Sequence, residues 1–148
     1  MSETSTLGEV TITRIYDAPR ELVFRCMIEP EHLTHFWGPI GMTTPLGNIT
    51  VDLRPGGAFE TIMVNDETGE EYPMRAVFAE ISPPDHLSYT EPDVEGGMLT
   101  SITFVALDDA HTEVVIHQTN VPEQYRTAEA QAGMATSLDK FAAYLATL

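Results

Sequence analysis

Two histidines three residues apart, His32 and His35, are a pair whose spacing could do chemistry. Residues three apart lie on the same face of a helix, so the two imidazoles could bind one metal ion. A structural zinc site needs four protein ligands and a catalytic one three. The single cysteine, Cys26, has apolar neighbours that predict burial rather than metal binding. We therefore expect no metal site, and we assign no cofactor.

A second group of titratable side chains on neighbouring predicted strands comprises Glu60, Arg75, Glu91 and His117. Such a group could act in general acid–base catalysis if its members met. Alternation along the strands places Glu60 and His117 on the outer face, away from the predicted core. The chain also lacks a Gly-x-Ser-x-Gly motif or a paired Cys and His nucleophile motif. We therefore assign no catalytic residue.

Polar side chains on the strand faces predicted to point inward are the third group, and they are Thr61, Tyr89, Thr103 and Gln118, with Gln131 on the last helix. Each unpaired buried polar group costs about 1 to 3 kcal/mol, so a purely structural core rarely contains several. A few polar groups in an apolar concavity are typical of a ligand site. We predict that these five residues line such a site, together with Trp37, Phe59, Met63, Ile116, Met134 and Leu138.

The element that would cover this site is the last stretch of the chain, residues 122–148. Its apolar residues recur at helical spacing on one face, and they are Met134, Leu138, Phe141, Leu145 and Leu148. This pattern predicts one long amphipathic helix. Gly133 lies inside it at a cost of about 1 kcal/mol relative to alanine, which indicates a packing or cavity reason for the glycine.

The rest of the chain reads as strands and two short helices. Residues 8–16 alternate as a half-buried strand, and a helix is predicted to begin at Pro19. A second short helix is predicted to lead to Trp37. Turn signals divide residues 50–119 into about six further strands.

This order predicts an α+β fold, with a curved antiparallel sheet of six to seven strands, two short helices and one long C-terminal helix. A curved sheet that surrounds a helix encloses a cavity unless large side chains fill it. Composition is uniform along the chain, so we expect a single domain over residues 1–148. Residues 1–7 are expected to be a flexible N-terminus.

Net charge limits the partners of this protein. The chain has 7 Lys and Arg residues in total and 23 Asp and Glu residues, which gives a formal net charge of -16. The resulting field repels phosphate backbones and anionic membrane surfaces, so we expect neither nucleic acid nor membrane as a partner. No apolar run approaches the roughly 18 residues that span a bilayer, and the first residues lack a signal-peptide pattern. We expect a cytoplasmic location.

Several short motifs carry a resemblance to a known family. They are Ala18-Pro19 with Val23-Phe24, Trp37-Gly38-Pro39, Arg54-Pro55-Gly56-Gly57 before Phe59, the run from Ile81 to Leu87, and Gly133 followed by the run from Ser137 to Phe141. The chain resembles the START-like, helix-grip superfamily (SRPBCC), and within it the homologues of the activator of the 90-kDa heat-shock chaperone's ATPase. The resemblance implies a helix-grip fold and a small-molecule binder with weak or no catalysis. Met134 follows the glycine where this family commonly has tryptophan, which implies a pocket of different size or shape.

Three functions remain open at this point. The first is binding of a small hydrophobic or amphipathic ligand between the last helix and the sheet, as a carrier, sensor or scavenger. The second, implied by the resemblance, is a protein-interaction module that engages a chaperone or a client protein. The third is an enzyme of the cyclase or hydratase kind, with Tyr89 or Gln118 orienting a carbonyl. Homodimerisation is left open.

The charge leads to a first prediction, which concerns nucleic acid. We expect negligible binding of DNA or RNA at physiological salt, because a net charge of -16 opposes the counterion release that supplies most non-specific affinity. A gel-shift titration, with a basic nucleic-acid-binding protein as the positive control, measures it. Sub-micromolar binding that weakens with added salt would contradict the expectation.

Overall fold

The computed structural model describes residues 7–94 and 96–148. Of the segment expected to be flexible, residues 1–6 lie outside the described residues, and Leu7 is half-buried. None of the helices in the described residues is both long enough and apolar enough to cross a membrane.

Eight strands and three helices make up the regular structure of the described residues. The strands are Gly8–Tyr16 (β1), Met42–Thr43 (β2), Ile49–Val51 (β3), Ala58–Asn65 (β4), Glu71–Ser82 (β5), His86–Glu91 (β6), Met98–Asp108 (β7) and His111–Val121 (β8). The helices are Arg20–Cys26 (α1), Pro30–Leu33 (α2) and Ala128–Leu145 (α3). Short 3-10 turns at Leu46–Asn48 and Glu123–Tyr125 complete the order.

All eight strands join one antiparallel sheet, in the order β1-β8-β7-β6-β5-β4-β2, and β3 pairs with β4. The sheet is curved and open, and the α+β fold with a long C-terminal helix is confirmed. The sequence predicted six to seven strands rather than eight. The difference arises because β2 and β3 have two and three residues, too few for a period-two pattern.

Helix α3 is shorter than the sequence predicted. It begins at Ala128, where the Thr127 side chain caps it by accepting a hydrogen bond from the Ala130 N–H at 3.1 Å. Its 18 residues correspond to about 27 Å. Leu148 was expected on the buried face, but it lies beyond the helix end and is 56% exposed.

The core lies between the helices and one face of the sheet, here called the inner face. Large inner-face side chains that are buried include Phe59, Phe78, Leu87, Ile102, Phe104 and Val114. Helix α3 contributes Leu138, Phe141 and Leu145. The Phe141 ring stacks on Phe36, with centroids 4.3 Å apart, and lies 4.8 Å from the Tyr16 ring. The inward-facing residues, which alternate along the strands, thus pack against the apolar face of α3 in one buried layer.

Residues 36–42, here called the 36–42 loop, connect α2 to β2 and hydrogen-bond to α3. The Ser137 hydroxyl donates to the Phe36 carbonyl at 3.0 Å and accepts from the Gly38 N–H at 3.3 Å. The Lys140 ammonium donates to the Gly38 carbonyl at 3.0 Å. Burial of this ammonium lowers the pKa of Lys140. The loop and the helix are therefore bound to each other through polar contacts as well as through the core.

Gly133 was expected to have a packing or cavity reason, and the structure supplies no steric one. A Cβ added there would lie 3.8 Å from the Pro39 Cβ, which is an ordinary van der Waals distance.

We therefore predict that Gly133→Ala raises the free energy of unfolding by about 0.5 to 1 kcal/mol, because alanine loses less backbone entropy in a helix interior. Chemical denaturation measures the change. Ala142→Gly, at an exposed position of the same helix, is the matched control and should lower stability by a similar amount. A loss of stability in Gly133→Ala would mean that this helix turn needs the glycine.

Candidate functional site

A row of side chains crosses the inner face of the sheet at one level. Strand register places Phe78 beside Tyr89, Tyr89 beside Thr100, and Thr100 beside Gln118. Tyr89 and Thr100 are buried and Gln118 is half-buried. Three neighbouring strands, β6, β7 and β8, thus each contribute a polar group to the same line.

The members of this row hydrogen-bond to one another. The Gln118 amide donates to the Thr100 hydroxyl at 3.2 Å, and Tyr89 also hydrogen-bonds to the Thr100 side chain. Burial raises the pKa of Tyr89, so its phenol stays protonated at neutral pH. Thr100 therefore links the three groups, which we call the polar row.

Trp37 and Thr61 form a second polar contact on the same face. The indole N–H of Trp37 donates to the Thr61 hydroxyl at 3.1 Å, and Thr61 is buried. The indole ring meets the Phe59 ring edge-on at 5.3 Å. Trp37 belongs to the 36–42 loop and is half-buried. Its side chain therefore lies at the edge of the core, between the loop backbone and the sheet.

Glu91 continues the inner-face alternation of β6 beyond Leu87 and Tyr89. It registers with Met98, which is buried. Burial raises the pKa of Glu91 to about 7. Within residues 7–94 and 96–148, its carboxyl group makes no hydrogen bond or ion pair.

A cleft of about 450 Å³ lies at Glu91 and is lined by Pro73, Met74, Arg75, Glu91, Asp93, Val94 and Tyr125. Met74 is on the inner face of β5 and packs against the core. Tyr125 belongs to the 3-10 turn that leads into α3. The cleft therefore opens where the end of the sheet meets the start of the helix.

The sequence-predicted site residues fall mostly on the inner face. Phe59, Thr61, Tyr89 and Ile116 are buried there, and Leu138 is buried on α3. Half-buried side chains are Met63 and Gln118 of the sheet, Trp37 of the 36–42 loop, and Gln131 and Met134 of α3. Met63 lies against Gly38 of the 36–42 loop. The Gln131 amide donates to the Tyr125 carbonyl at 2.9 Å, so it fixes the turn before α3. Met134 packs against the core from the helix side.

Thr103 is the exception, and its predicted inward orientation is wrong. It is exposed on the outer face, with its hydroxyl 3.4 Å from His86 Nδ1. The inward residues of β7 are Thr100, Ile102 and Phe104. Strict alternation from the large apolar residues Ile102 and Phe104 would have indicated Thr100 instead.

The sequence did not predict that Glu91, Met74 and Tyr125 line one cleft. The sequence grouped Glu91 with Glu60, Arg75 and His117, and of these three only Arg75 lines the same cleft as Glu91. Arg75 pairs with Glu60 at 3.9 Å, and His117 pairs with Glu9 at 2.9 Å. The four groups do not form an acid–base centre.

His32 and His35 both contact Tyr144 of α3. His32 Nδ1 lies 2.6 Å from the Tyr144 hydroxyl, and the His35 ring stacks on the Tyr144 ring at 4.6 Å. In the part of the chain that the structure describes, no group of three or more His, Cys, Asp or Glu side chains could hold a metal ion. Cys26 is buried, and burial raises the pKa of its thiol to about 11. The thiol is therefore protonated and weakly nucleophilic at neutral pH.

Solved structures resemble this chain over nearly its whole length. A protein from Chromobacterium violaceum is 25% identical, with a TM-score of 0.82 and coverage of 91% of this chain and 95% of that chain. An AHSA1 protein from Silicibacter pomeroyi is 19% identical, with a TM-score of 0.79 and coverage of 94% and 98%. A protein from Rhodobacter sphaeroides is 16% identical, with a TM-score of 0.83 and coverage of 95% and 94%. The last two likenesses show the fold alone. No curated protein matches the chain.

A family model described as Activator of Hsp90 ATPase homolog 1-like protein matches residues 17–146. This confirms the family indicated by motifs such as Trp37-Gly38-Pro39 and by the terminal glycine with its helix. The chain thus belongs to the Activator of Hsp90 ATPase homolog 1-like family within the helix-grip (SRPBCC) superfamily.

Proposed function

We propose that this protein binds a small hydrophobic or amphipathic molecule between the first half of α3 and the inner face of the sheet. One observation carries the proposal, and it is the difference between the two halves of the helix. None of residues 128–137 is buried, whereas Leu138, Phe141 and Leu145 are. A helix that packs tightly on the sheet at one end only would leave a groove with room for a ligand at the other, where Met134 is half-buried against the core.

The chemistry of the groove suits such a molecule. The half-buried side chains of Met74 and Met134 offer apolar surface whose burial yields about 25 cal/mol per Å². The polar row and the Trp37 indole supply a few fixed hydrogen-bonding groups, which orient a ligand. The cleft of about 450 Å³ at Glu91 is lined by no residue of α3 itself, but it adjoins the turn that leads into the helix, and its volume lies within the usual range for small-molecule sites.

A binding role is favoured over a reaction. Catalysis by a cyclase or hydratase needs an acid and a base within reach of the same substrate atoms. Of the acid–base group considered from the sequence, Glu91 alone faces inward. A carrier, sensor or scavenger role requires no second group.

A second candidate function, engagement of a chaperone or client protein, is favoured by the outer face of the sheet. Ile15 on β1 and Val105 on β7 are exposed, and both register with Glu113 on β8. Leu107 continues the exposed apolar surface along β7. Exposed apolar side chains that lie close together can mark an interaction surface, and here Ile15 and Val105 lie on either side of the charged Glu113. A cytoplasmic location and homodimerisation remain predictions from the sequence.

Met134→Trp tests the groove directly. If space remains under the first half of α3, the larger side chain fills part of it, so the melting temperature should hold or rise. Binding of the uncharged fluorescent probe Nile red should fall, because the tryptophan occupies the probe's volume. Thermal melts and probe titrations measure the two effects.

Phe141→Trp is the matched control, because Phe141 is fully buried in the same helix. Overpacking there should cost about 1 to 3 kcal/mol. If Met134→Trp lost stability like the control and left probe binding unchanged, both the groove and the proposed position of the ligand would be rejected.

A further inference from the structure

We propose that the ligand carries a cationic group, such as a primary alkylammonium, and that this group pairs with the carboxylate of Glu91 in the cleft at the start of α3. This inference rests on the proposed function and specifies its ligand class. The apolar part of the same molecule would extend from the cleft along the inner face toward Tyr89.

The position of Glu91 supports this ligand class. Leu87, Tyr89 and Glu91 alternate on one side of β6, and the first two are buried in the core. Glu91 is therefore an inner-face side chain at the open end of the sheet. Met74 beside it in the cleft gives the carboxyl group an apolar surrounding on that side.

No described cation pairs with Glu91. Arg75 borders the cleft, but its guanidinium lies 3.5 Å from Asp93 and 3.9 Å from Glu60. Arg14, an inner-face arginine of β1, pairs with Asp139 of α3 at 2.7 Å. Counted together, Arg75, Asp93 and Glu91 leave the cleft with an excess of negative charge when Glu91 is ionised.

A ligand cation would relieve the unfavourable environment of Glu91. Burial holds the pKa of this carboxyl at about 7, and a nearby positive charge favours the ionised form. A charge-assisted hydrogen bond then replaces the lost hydration. Tyr125 adds an aromatic ring at the cleft, and such rings attract cations. The formal net charge of -16 also draws cations to the protein and repels anionic amphiphiles.

The test compares three molecules with one alkyl chain and different head groups, namely octylammonium, octanol and octanoate. Titration calorimetry at physiological salt and about pH 8, where Glu91 is mostly ionised, measures their affinities. We expect octylammonium to bind at least about tenfold more tightly than octanol, with octanoate weakest. Glu91→Gln should remove the preference for octylammonium and leave octanol affinity nearly unchanged.

Asp109→Asn is the matched control, since it changes the net charge equally in the exposed turn at the other end of β7. It should retain the preference for octylammonium. Equal losses in both variants would show that only the long-range field acts, and would overturn the inference.

A measurement on the unmodified protein avoids dependence on the folding of the Glu91 variant. The other charged and titratable groups that border the cleft are Arg75, Asp93 and Tyr125, and Tyr89 lies next along the inner face. Between about pH 5.5 and about pH 8 octylammonium stays protonated, as lysine does. Its affinity should therefore rise with pH as Glu91 ionises, while octanol affinity should not rise.

The outcomes separate the two proposals. Octanol binding with no preference for octylammonium, or no rise of octylammonium affinity with pH, overturns the inference alone. If none of the three molecules binds, the proposed function fails, and the inference fails with it.

Discussion

The burial of Phe141 is the interaction on which the other features of this structure depend. Its ring lies against those of Phe36 and Tyr16, so one side chain of α3 contacts both the first strand and the start of the 36–42 loop. Removal of a fully buried phenylalanine side chain typically costs about 3 to 5 kcal/mol. The contact fixes the second half of the helix on the sheet. The first half, which has no buried side chain among its described residues, can then stand away from the sheet without loss of the fold.

The polar row shows how a core can hold several polar groups at little cost. Tyr89 and Gln118 both hydrogen-bond to Thr100, so their mutual contacts offset much of the desolvation. Such contacts also restrict the side-chain rotamers, and a site ordered in this way would lose less entropy on binding the proposed ligand. Glu91 differs because its carboxyl group lacks a partner in the described chain. The inner face thus combines a hydrogen-bonded polar row with one half-buried acid at its end, whose carboxyl group has no protein partner among the described residues.

The sequence predicted an element correctly where its apolar pattern repeats over many residues. The stripe of Leu138, Phe141 and Leu145 identified the last helix, because several consecutive turns repeat it. The start at Ala128 was missed, since the preceding turn has similar polarity and only its hydrogen bonds distinguish it. The face of Thr103 was predicted wrongly because side chains alternate between the two faces of a strand. An error of one residue in the pattern therefore places a side chain on the opposite face. Glu91 could not be assigned, because an acid beside a loop usually lies in water, and only the tertiary fold half-buries it.

The pairing of β1 with β8 has a consequence for how the protein is made. Gly8 registers with Val121 and Tyr16 with Thr112, so the partners are roughly 100 residues apart in the chain. At ribosomal rates of about 5 to 20 residues per second, β1 waits on the order of 5 to 20 s for its partner to be synthesised. Closing so long a loop also slows folding relative to helical proteins of equal length. Strand β1 of this domain is therefore among the last to be paired, and its apolar side chains stay unpaired in the sheet until β8 has been made.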